Sequence, residues 1–228
     1  MRHSVAAAIP VLFVVSVFAQ QSIPALTLSK AVEILNSSPW ARHETFTQVI
    51  GGVGSGVSGE KEIFDTFYVR FLSAKPIREA FLRVRQLQYG YDKLSEAEKA
   101  RFDGLTQSGL QLGSDNWVVV AVSFRSNDPN EESNTRRFFQ KQTAETLKHK
   151  AFLSTDKFPQ IDVSAYFPPR EESVGAKFVF PRTVNGEPVV SQSTRKVAFE
   201  LLDVPGASPR LRASFAVRDM VINNELVF

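Results

Sequence analysis

The spacing of apolar residues changes along the chain from a helical period to a strand period. Apolar side chains recur every three to four residues in segments 28–35, 76–90 and 135–150, which predicts helices. A capping-box pattern at Ser95 and Glu98 predicts a further helix that ends near Phe102. From residue 174 onward apolar and polar residues alternate, which predicts antiparallel strands with one buried face.

Strands are also predicted between the helices. Segments 45–50 and 63–72 have strand character, and the nearly unbroken apolar run 117–124 is typical of a central strand covered on both faces. Asn185-Gly186 and Asn223-Asn224 have the composition of two-residue hairpin turns, and the second hairpin is expected to supply the last two strands of the sheet.

These elements together predict an α+β fold. We expect a mainly antiparallel sheet with three to four helices packed on it and a strand-rich C-terminal half. A single domain over residues 20–228 is the first expectation. The alternative is a boundary near residues 126–134, which would separate a helix-rich half from a strand-rich half.

The first nineteen residues predict a signal peptide. Arg2 precedes an apolar run from Val5 to Ala19, and the run ends in a pattern typical of cleavage after Ala19. The apolar run is shorter than the roughly 20 residues of a membrane span. Export to the periplasm or the medium is therefore expected, with an uncleaved apolar anchor as the alternative.

The composition of the chain excludes several kinds of functional site. The 228 residues include no cysteine, which excludes disulfides, thiol catalysis and cysteine metal sites. With 43% hydrophobic and 22% charged residues the chain is typical of a globular protein, and a net charge of +3 without a basic cluster predicts no nucleic-acid partner.

Two loops are the candidate ligand or partner loops. Residues Gly54, Gly56 and Gly59 match G-x-G-x-x-G, but a strand rather than a helix is predicted to follow, so a flexible or hairpin loop is favoured over a phosphate site. The other candidate is the extended segment 167–172, with Pro168, Pro169 and Arg170.

No catalytic, cofactor or metal residue is assigned. His43 and His149 have no partner at metal-ligand spacing. His43 is expected at the surface, and His149 is expected as a solvated residue at a helix end. Tyr68 and Arg70 lie among aromatic residues that could stack bases on a sheet, but core packing of the segment is the stronger interpretation.

Several segments resemble one group of proteins. The chain is similar to secreted bacterial proteins of the acidobacterial type, which carry no assigned activity. The segments that carry this resemblance are 36–41, 51–59, 67–74, 167–171 and 217–220. The resemblance implies bacterial export and no particular chemistry.

The preferred function is an exported, non-catalytic binding or structural protein of the bacterial envelope or exterior. Its partner would be a protein, a surface polymer or a small apolar ligand, bound through the sheet face or the two loops. One alternative is a hydrolase with a spatially assembled Ser/His/acid site that uses His43 or His149. The second alternative is an outer-membrane-associated component, motivated by the closing Phe228. No cofactor and no membrane span after signal removal are expected.

Overall fold

Two antiparallel sheets and a set of helices make up the architecture. The computed structural model describes residues 26–51, 61–110, 116–170 and 175–228. Within these ranges the chain has the predicted α+β fold. The predicted signal peptide and nearly all of the segment 51–59, with Gly54, Gly56 and Gly59, lie outside the described residues.

The helices alternate with strands in the first part of the chain and are absent among the described residues after position 147, apart from one short 3-10 turn. The α-helices are α1 Leu28–Asn36, α2 Lys75–Gln88, α3 Glu96–Leu110, α4 Pro129–Lys141 and the single turn α5 Ala144–Leu147. The strands are β1 Ala41–Ile50, β2 Lys61–Phe71, β3 Trp117–Ser126, β4 Ala151–Thr155, β5 Ile161–Asp162, β6 Ala165–Phe167, β7 Ala176–Pro181, β8 Thr183–Val184, β9 Glu187–Pro188, β10 Lys196–Leu202, β11 Arg210–Ala216, β12 Val221–Ile222 and β13 Glu225–Leu226.

The larger sheet has five strands in the order β1-β2-β3-β7-β6. Strand β3 lies in its centre, as the apolar run predicts. Residues Val118 to Val122 are buried on both faces of the sheet, which is why this strand shows no alternation.

The smaller sheet has four strands in the order β11-β10-β4-β5. Strand β11 alternates as predicted, but β10 is buried on both faces, because Ala198 and Glu200 are buried as well as Val197, Phe199 and Leu201. The hairpin at Asn223-Asn224 forms with both residues at positive φ. However, its strands β12 and β13 pair only with each other in the described chain, so the expectation that they are the last strands of the sheet is wrong. Two-residue strands satisfy few ladder bonds, and they lie beside the sheets rather than extending one.

The core fills the space between the two sheets. The Phe71 and Phe215 rings meet with centroids 4.8 Å apart, and Phe178 meets Phe199 at 5.1 Å. Each pair joins a strand of the larger sheet to a strand of the smaller one. This hydrophobic cluster takes residues from both sides of segment 126–134.

The helix predicted over 135–150 differs from the observed helices in its bounds, and capping residues are the reason. The helix expected over 135–150 begins at Pro129, because the Asp128 carboxylate accepts from the backbone N–H groups of Asn130 and Glu131. It ends at Lys141, and Thr143 starts the separate turn α5 with a capping box. The sequence pattern therefore placed one helix where the structure has two.

The outer face of the larger sheet is covered by helices over only part of its area. Helix α1 lies on this face, since Arg70 of β2 hydrogen-bonds to the α1 residues Leu35 and Asn36. Helix α2 packs along α1. Beneath the helices the outer-face residues Val119 and Ala121 are fully buried. Beyond the helices the face is open, and this region contains the candidate site.

Candidate ligand-binding strip on the outer sheet face

Alternation along β2 divides its side chains between the core and the outer face. Phe67, Val69 and Phe71 are fully buried toward the smaller sheet. Tyr68 and Arg70 point the other way, because successive side chains of a strand lie on opposite faces. The predicted core packing is therefore correct for the phenylalanines of this segment and wrong for Tyr68, which is half-buried on the outer face.

The strand register brings five side chains together on the open part of this face. His43 of β1 and Ser123 of β3 both lie directly opposite Tyr68. On the far side of β3, Lys177 of β7 lies opposite Phe167 of β6. We call these five residues the outer strip. His43 and Phe167 are exposed, whereas Tyr68, Ser123 and Lys177 are half-buried.

Arg70 anchors one end of the outer strip. Its guanidinium donates to the backbone oxygen of Leu35 at 2.6 Å, to Asn36 Oδ1 at 3.0 Å and to Ser123 Oγ at 2.7 Å. The guanidinium also lies over the Tyr68 ring at 5.0 Å. Burial lowers the pKa of Arg70 to about 10, and Tyr68 acts in the opposite direction. Arg70 is thus a buried cation whose partners among the described residues are all neutral.

The donors of the outer strip exceed the acceptors that the protein offers them. A guanidinium accepts no hydrogen bond, so the hydroxyl proton of Ser123 is directed away from Arg70. Neither this proton nor the Tyr68 hydroxyl has a protein acceptor in the described part of the chain. The Lys177 ammonium has no ion pair there either, and burial followed by the charge of Arg170 lowers its pKa.

The predicted loop residues of the second candidate loop adjoin the outer strip. Pro168, Pro169 and Arg170 follow directly after β6, so they continue from Phe167. Pro168 and Arg170 are exposed and Pro169 is half-buried. The charge of Arg170 acts on Lys177, which places this side chain near the strip. Segment 171–174 lies outside the described residues.

His43 and His149 lie apart in the structure and have different neighbours. His43 Nδ1 is 3.3 Å from the backbone oxygen of Asn36, and its ring is 6.0 Å from that of Tyr68. His149 has a positive φ and pairs through Nδ1 with Asp162 Oδ2 at 2.7 Å. Neither histidine hydrogen-bonds to a serine hydroxyl in the residues that the structure covers. No Ser/His/acid triad is therefore assembled there.

A separate basic cavity of about 390 Å³ lies at the start of α2 and is lined by Ser73, Lys75, Arg78, Arg182 and residues 226–228. Arg78 donates to the backbone oxygen of Ser73, and Arg182 donates to that of Phe228. The Arg182 guanidinium also lies 4.5 Å from the centroid of the Phe228 ring. The Arg182 contacts hold Phe228 beside the end of β7, and the Arg78 contact links α2 to the turn that precedes it.

Besides the helix cap Asp128, two buried carboxylates lie outside the outer strip, both of them in strands. Glu200 of β10 is 6% exposed and pairs with Arg212 at 3.4 Å and Arg210 at 3.3 Å. Asp65 of β2 is fully buried and accepts one hydrogen bond from Gln48 at 3.1 Å. Since β2 residue Asp65 shares the core-facing side with Phe67, neither carboxylate faces the outer strip.

Searches of the described residues for two other kinds of site were negative. No group of three or more histidine and acidic side chains there is arranged to hold a metal ion. Nor is any of the described helices both long enough and apolar enough to span a membrane.

Comparison of the chain with protein-family models, with curated proteins and with solved structures gives no match.

The sequence pointed to part of the outer strip. Tyr68 and Arg70 stood out as an aromatic residue beside a cation, and Phe167 begins the predicted loop segment. Nothing in the sequence marked Ser123 and Lys177 as site residues, because each is a single polar residue in a strand. Their neighbours across the sheet depend on the strand register, which the sequence does not show. A period-two reading of 117–124 would have placed Ser123 on one face but could not have named its partners.

Proposed function

We propose that this protein is an exported, non-catalytic binding protein that holds an extended ligand across the outer strip. The observation that carries the proposal is the row His43–Tyr68–Ser123 with Lys177 beyond it, whose hydroxyl and ammonium donors have no acceptor among the described residues. Tyr68, Ser123 and Lys177 are half-buried, so a ligand that supplies acceptors could replace the water at these donors.

A polymer fits the shape of this surface better than a compact small molecule. The outer strip crosses four neighbouring strands from β1 to β7 and continues to β6, and adjacent strands are about 4.8 Å apart. It is a shallow surface rather than an enclosed pocket of the kind that buries small ligands. Binding along a flat, open row is therefore expected for a chain that extends over several strands.

Export is the second part of the proposal. It is supported by the apolar run Val5 to Ala19 and by the absence of cysteine, which makes the chain indifferent to an oxidising compartment. The resemblance to secreted bacterial proteins points the same way. A surface polymer of the bacterial envelope or its surroundings is the ligand expected in that location.

The test is a binding experiment with defined polymers. The protein purified after export is labelled with ¹⁵N and titrated with dextran and with polygalacturonate, and amide shifts are mapped onto the sequence. We expect shifts at Tyr68, Ser123 and Lys177, with the length of the polymer unchanged after long incubation. Shifts confined to other surfaces, no shifts with either polymer, or shortening of the polymer would refute the proposal.

A matched pair of variants locates the binding surface. Tyr68→Ala removes the ring at the centre of the outer strip, whereas Tyr89→Ala removes an exposed ring at the end of α2. We expect Tyr68→Ala to weaken polymer binding and Tyr89→Ala to leave it unchanged. Equal effects of the two variants would place binding elsewhere.

A further inference from the structure

We infer that the ligand of the outer strip is an acidic polysaccharide, whose carboxylates bind at Ser123 and Lys177, beside the buried Arg70. This inference rests on the proposed function and names its ligand class.

Arg70 and Lys177 lie in one row across the sheet. Ala121 of β3 is opposite Arg70 on one side and opposite Lys177 on the other. The two cations are therefore two strand spacings apart, about 10 Å between backbones. Ala121 itself is fully buried, so a ligand reaches this row from the side of the half-buried Ser123 and Lys177 and not over Ala121.

No carboxylate neutralises either cation among the described residues. Arg70 hydrogen-bonds to a backbone oxygen, an amide oxygen and a hydroxyl. Lys177 has only the like charge of Arg170 acting on it. Keeping two cations partly desolvated without an anion is unfavourable, and an anionic ligand would relieve that cost.

Ser123 lies between the cations and provides the most direct contact. Its oxygen accepts from Arg70, so its own hydroxyl proton is available to a ligand acceptor. Arg70 also keeps part of its donor capacity, since a guanidinium has five N–H groups and three hydrogen bonds are formed. A carboxylate oxygen is the acceptor that gains most from hydroxyl, guanidinium and ammonium donors together.

The aromatic residues favour a sugar polymer over a nucleic acid. Tyr68 and Phe167 present ring surface on either side of the cations, and the apolar face of a pyranose ring packs on such a surface. A nucleic acid would require several exposed cations to neutralise successive phosphates, whereas this row contains two.

The experiment compares two forms of one polymer. Polygalacturonate and its fully methyl-esterified form have the same sugar backbone, but only the first carries carboxylates. We expect binding to polygalacturonate, at least tenfold weaker binding to the ester, and weaker binding as salt increases, because screening acts on charge pairs. Equal binding of the two forms on the outer strip would overturn the anionic ligand and leave the proposed function intact.

Variants test the two named contacts. Lys177→Gln and Ser123→Ala should each weaken polygalacturonate binding, the first by about tenfold, as expected for a lost charge-assisted hydrogen bond. Lys196→Gln makes the same charge change on β10 of the smaller sheet and should have no effect. Unfolding midpoints check that each variant is folded. Equal losses in Lys177→Gln and Lys196→Gln would show a general charge effect and overturn the inference.

A single-stranded DNA oligonucleotide and dextran complete the panel. The oligonucleotide could bind more tightly than polygalacturonate and cause amide shifts on the outer strip. That result would show that the ligand class is a nucleic acid and not an acidic polysaccharide. Tighter binding of dextran would indicate a neutral polymer. Absence of binding by every polymer would refute the proposed function itself, an outcome distinct from either of these.

Discussion

At the scale of single residues, the turn that carries Gly206 is the clearest steric constraint. Gly206 has φ +80°, and a Cβ built on it would lie 2.9 Å from Asp65 Oδ2. Asp65 is fully buried, so its carboxylate has little space to move. Only glycine combines this backbone conformation with this close approach.

We therefore predict that Gly206→Ala lowers the free energy of unfolding by about 1–3 kcal/mol or more, from backbone strain and steric contact together. Gly186→Ala is the matched control, because Gly186 has φ +79° with nothing within 4 Å of its built Cβ. Urea denaturation of both variants separates the two causes. Equal losses in stability would mean that the contact with Asp65 contributes nothing.

At the scale of elements, helix α4 depends on the charge of its N-cap. Asp128 accepts from Lys61 Nζ at 2.6 Å and from two backbone N–H groups of the first turn. The hydrogen bond from Lys61 is the largest cause of a pKa below the usual 3.8 for this carboxyl, and the backbone hydrogen bonds follow.

A lowered pKa fixes the sign of the pH dependence. The stabilising contribution of ionised Asp128 is complete above pH 3.8 and is lost as the pH falls from there through the pKa of the folded state. We predict that Asp128→Asn is less stable than the wild type at neutral pH and that this difference disappears in strong acid. Urea denaturation at a series of pH values measures it. A constant difference across the series would contradict the role of the charge.

Helix α1 is held on the sheet by Arg70, which donates to the oxygen of Leu35 in its last turn and to the side chain of Asn36. A cation at a helix C-terminus also interacts favourably with the helix dipole. The same side chain thus positions α1 and supplies charge beneath the outer strip, so structure and ligand binding share one residue.

We predict that Arg70→Met lowers stability by about 1.5–3 kcal/mol and speeds amide exchange in Leu28–Asn36 more than in the central strand. The control is Arg218→Met, because the side chain of Arg218 is 88% exposed and its loss should change stability by less than about 0.5 kcal/mol. Hydrogen exchange with mass spectrometry provides the readout. Uniform acceleration over all elements would indicate global destabilisation without a specific role in α1.

At the scale of the whole molecule, the proposed export implies that the chain is processed before it meets a ligand. We predict that the exported protein begins at Gln20, because cleavage after Ala19 satisfies the signal-peptide pattern. Intact mass and N-terminal sequencing of the protein secreted by a bacterial host measure this directly. Replacing Ala19 with Arg should block processing, and a mature protein that retains residues 1–19 would contradict the prediction.

The two sheets form one structure through contacts that are distant in sequence. Strand β1 lies next to β11 at one edge, and the Arg42 guanidinium lies over the Phe215 ring at 5.2 Å. At the other side Tyr166 of β6 donates to the backbone oxygen of Phe139 in α4 at 2.5 Å. These contacts join the edges of the larger sheet to the smaller sheet and to α4.

Local patterns in the sequence determined most of the elements. Alternation of apolar and polar residues located β7, β10 and β11, and the unbroken run from Trp117 identified the central strand. Helix α2 follows from its apolar spacing, and Gly90 closes it at φ +65° as expected. These features depend on neighbours within a few positions, which a sequence displays directly.

Tertiary structure alone decided which residues meet. The break between α4 and α5 followed from capping at Asp128 and Thr143, which competes with a continuous apolar period. The outer strip arose from strand register, which placed Tyr68 beside Ser123 and Lys177 one strand beyond. Register is set by packing over the whole sheet, because shifting one strand by a single residue would exchange its inner and outer faces. For that reason the sequence determined the strands of this protein, and only the folded sheet determined its candidate site.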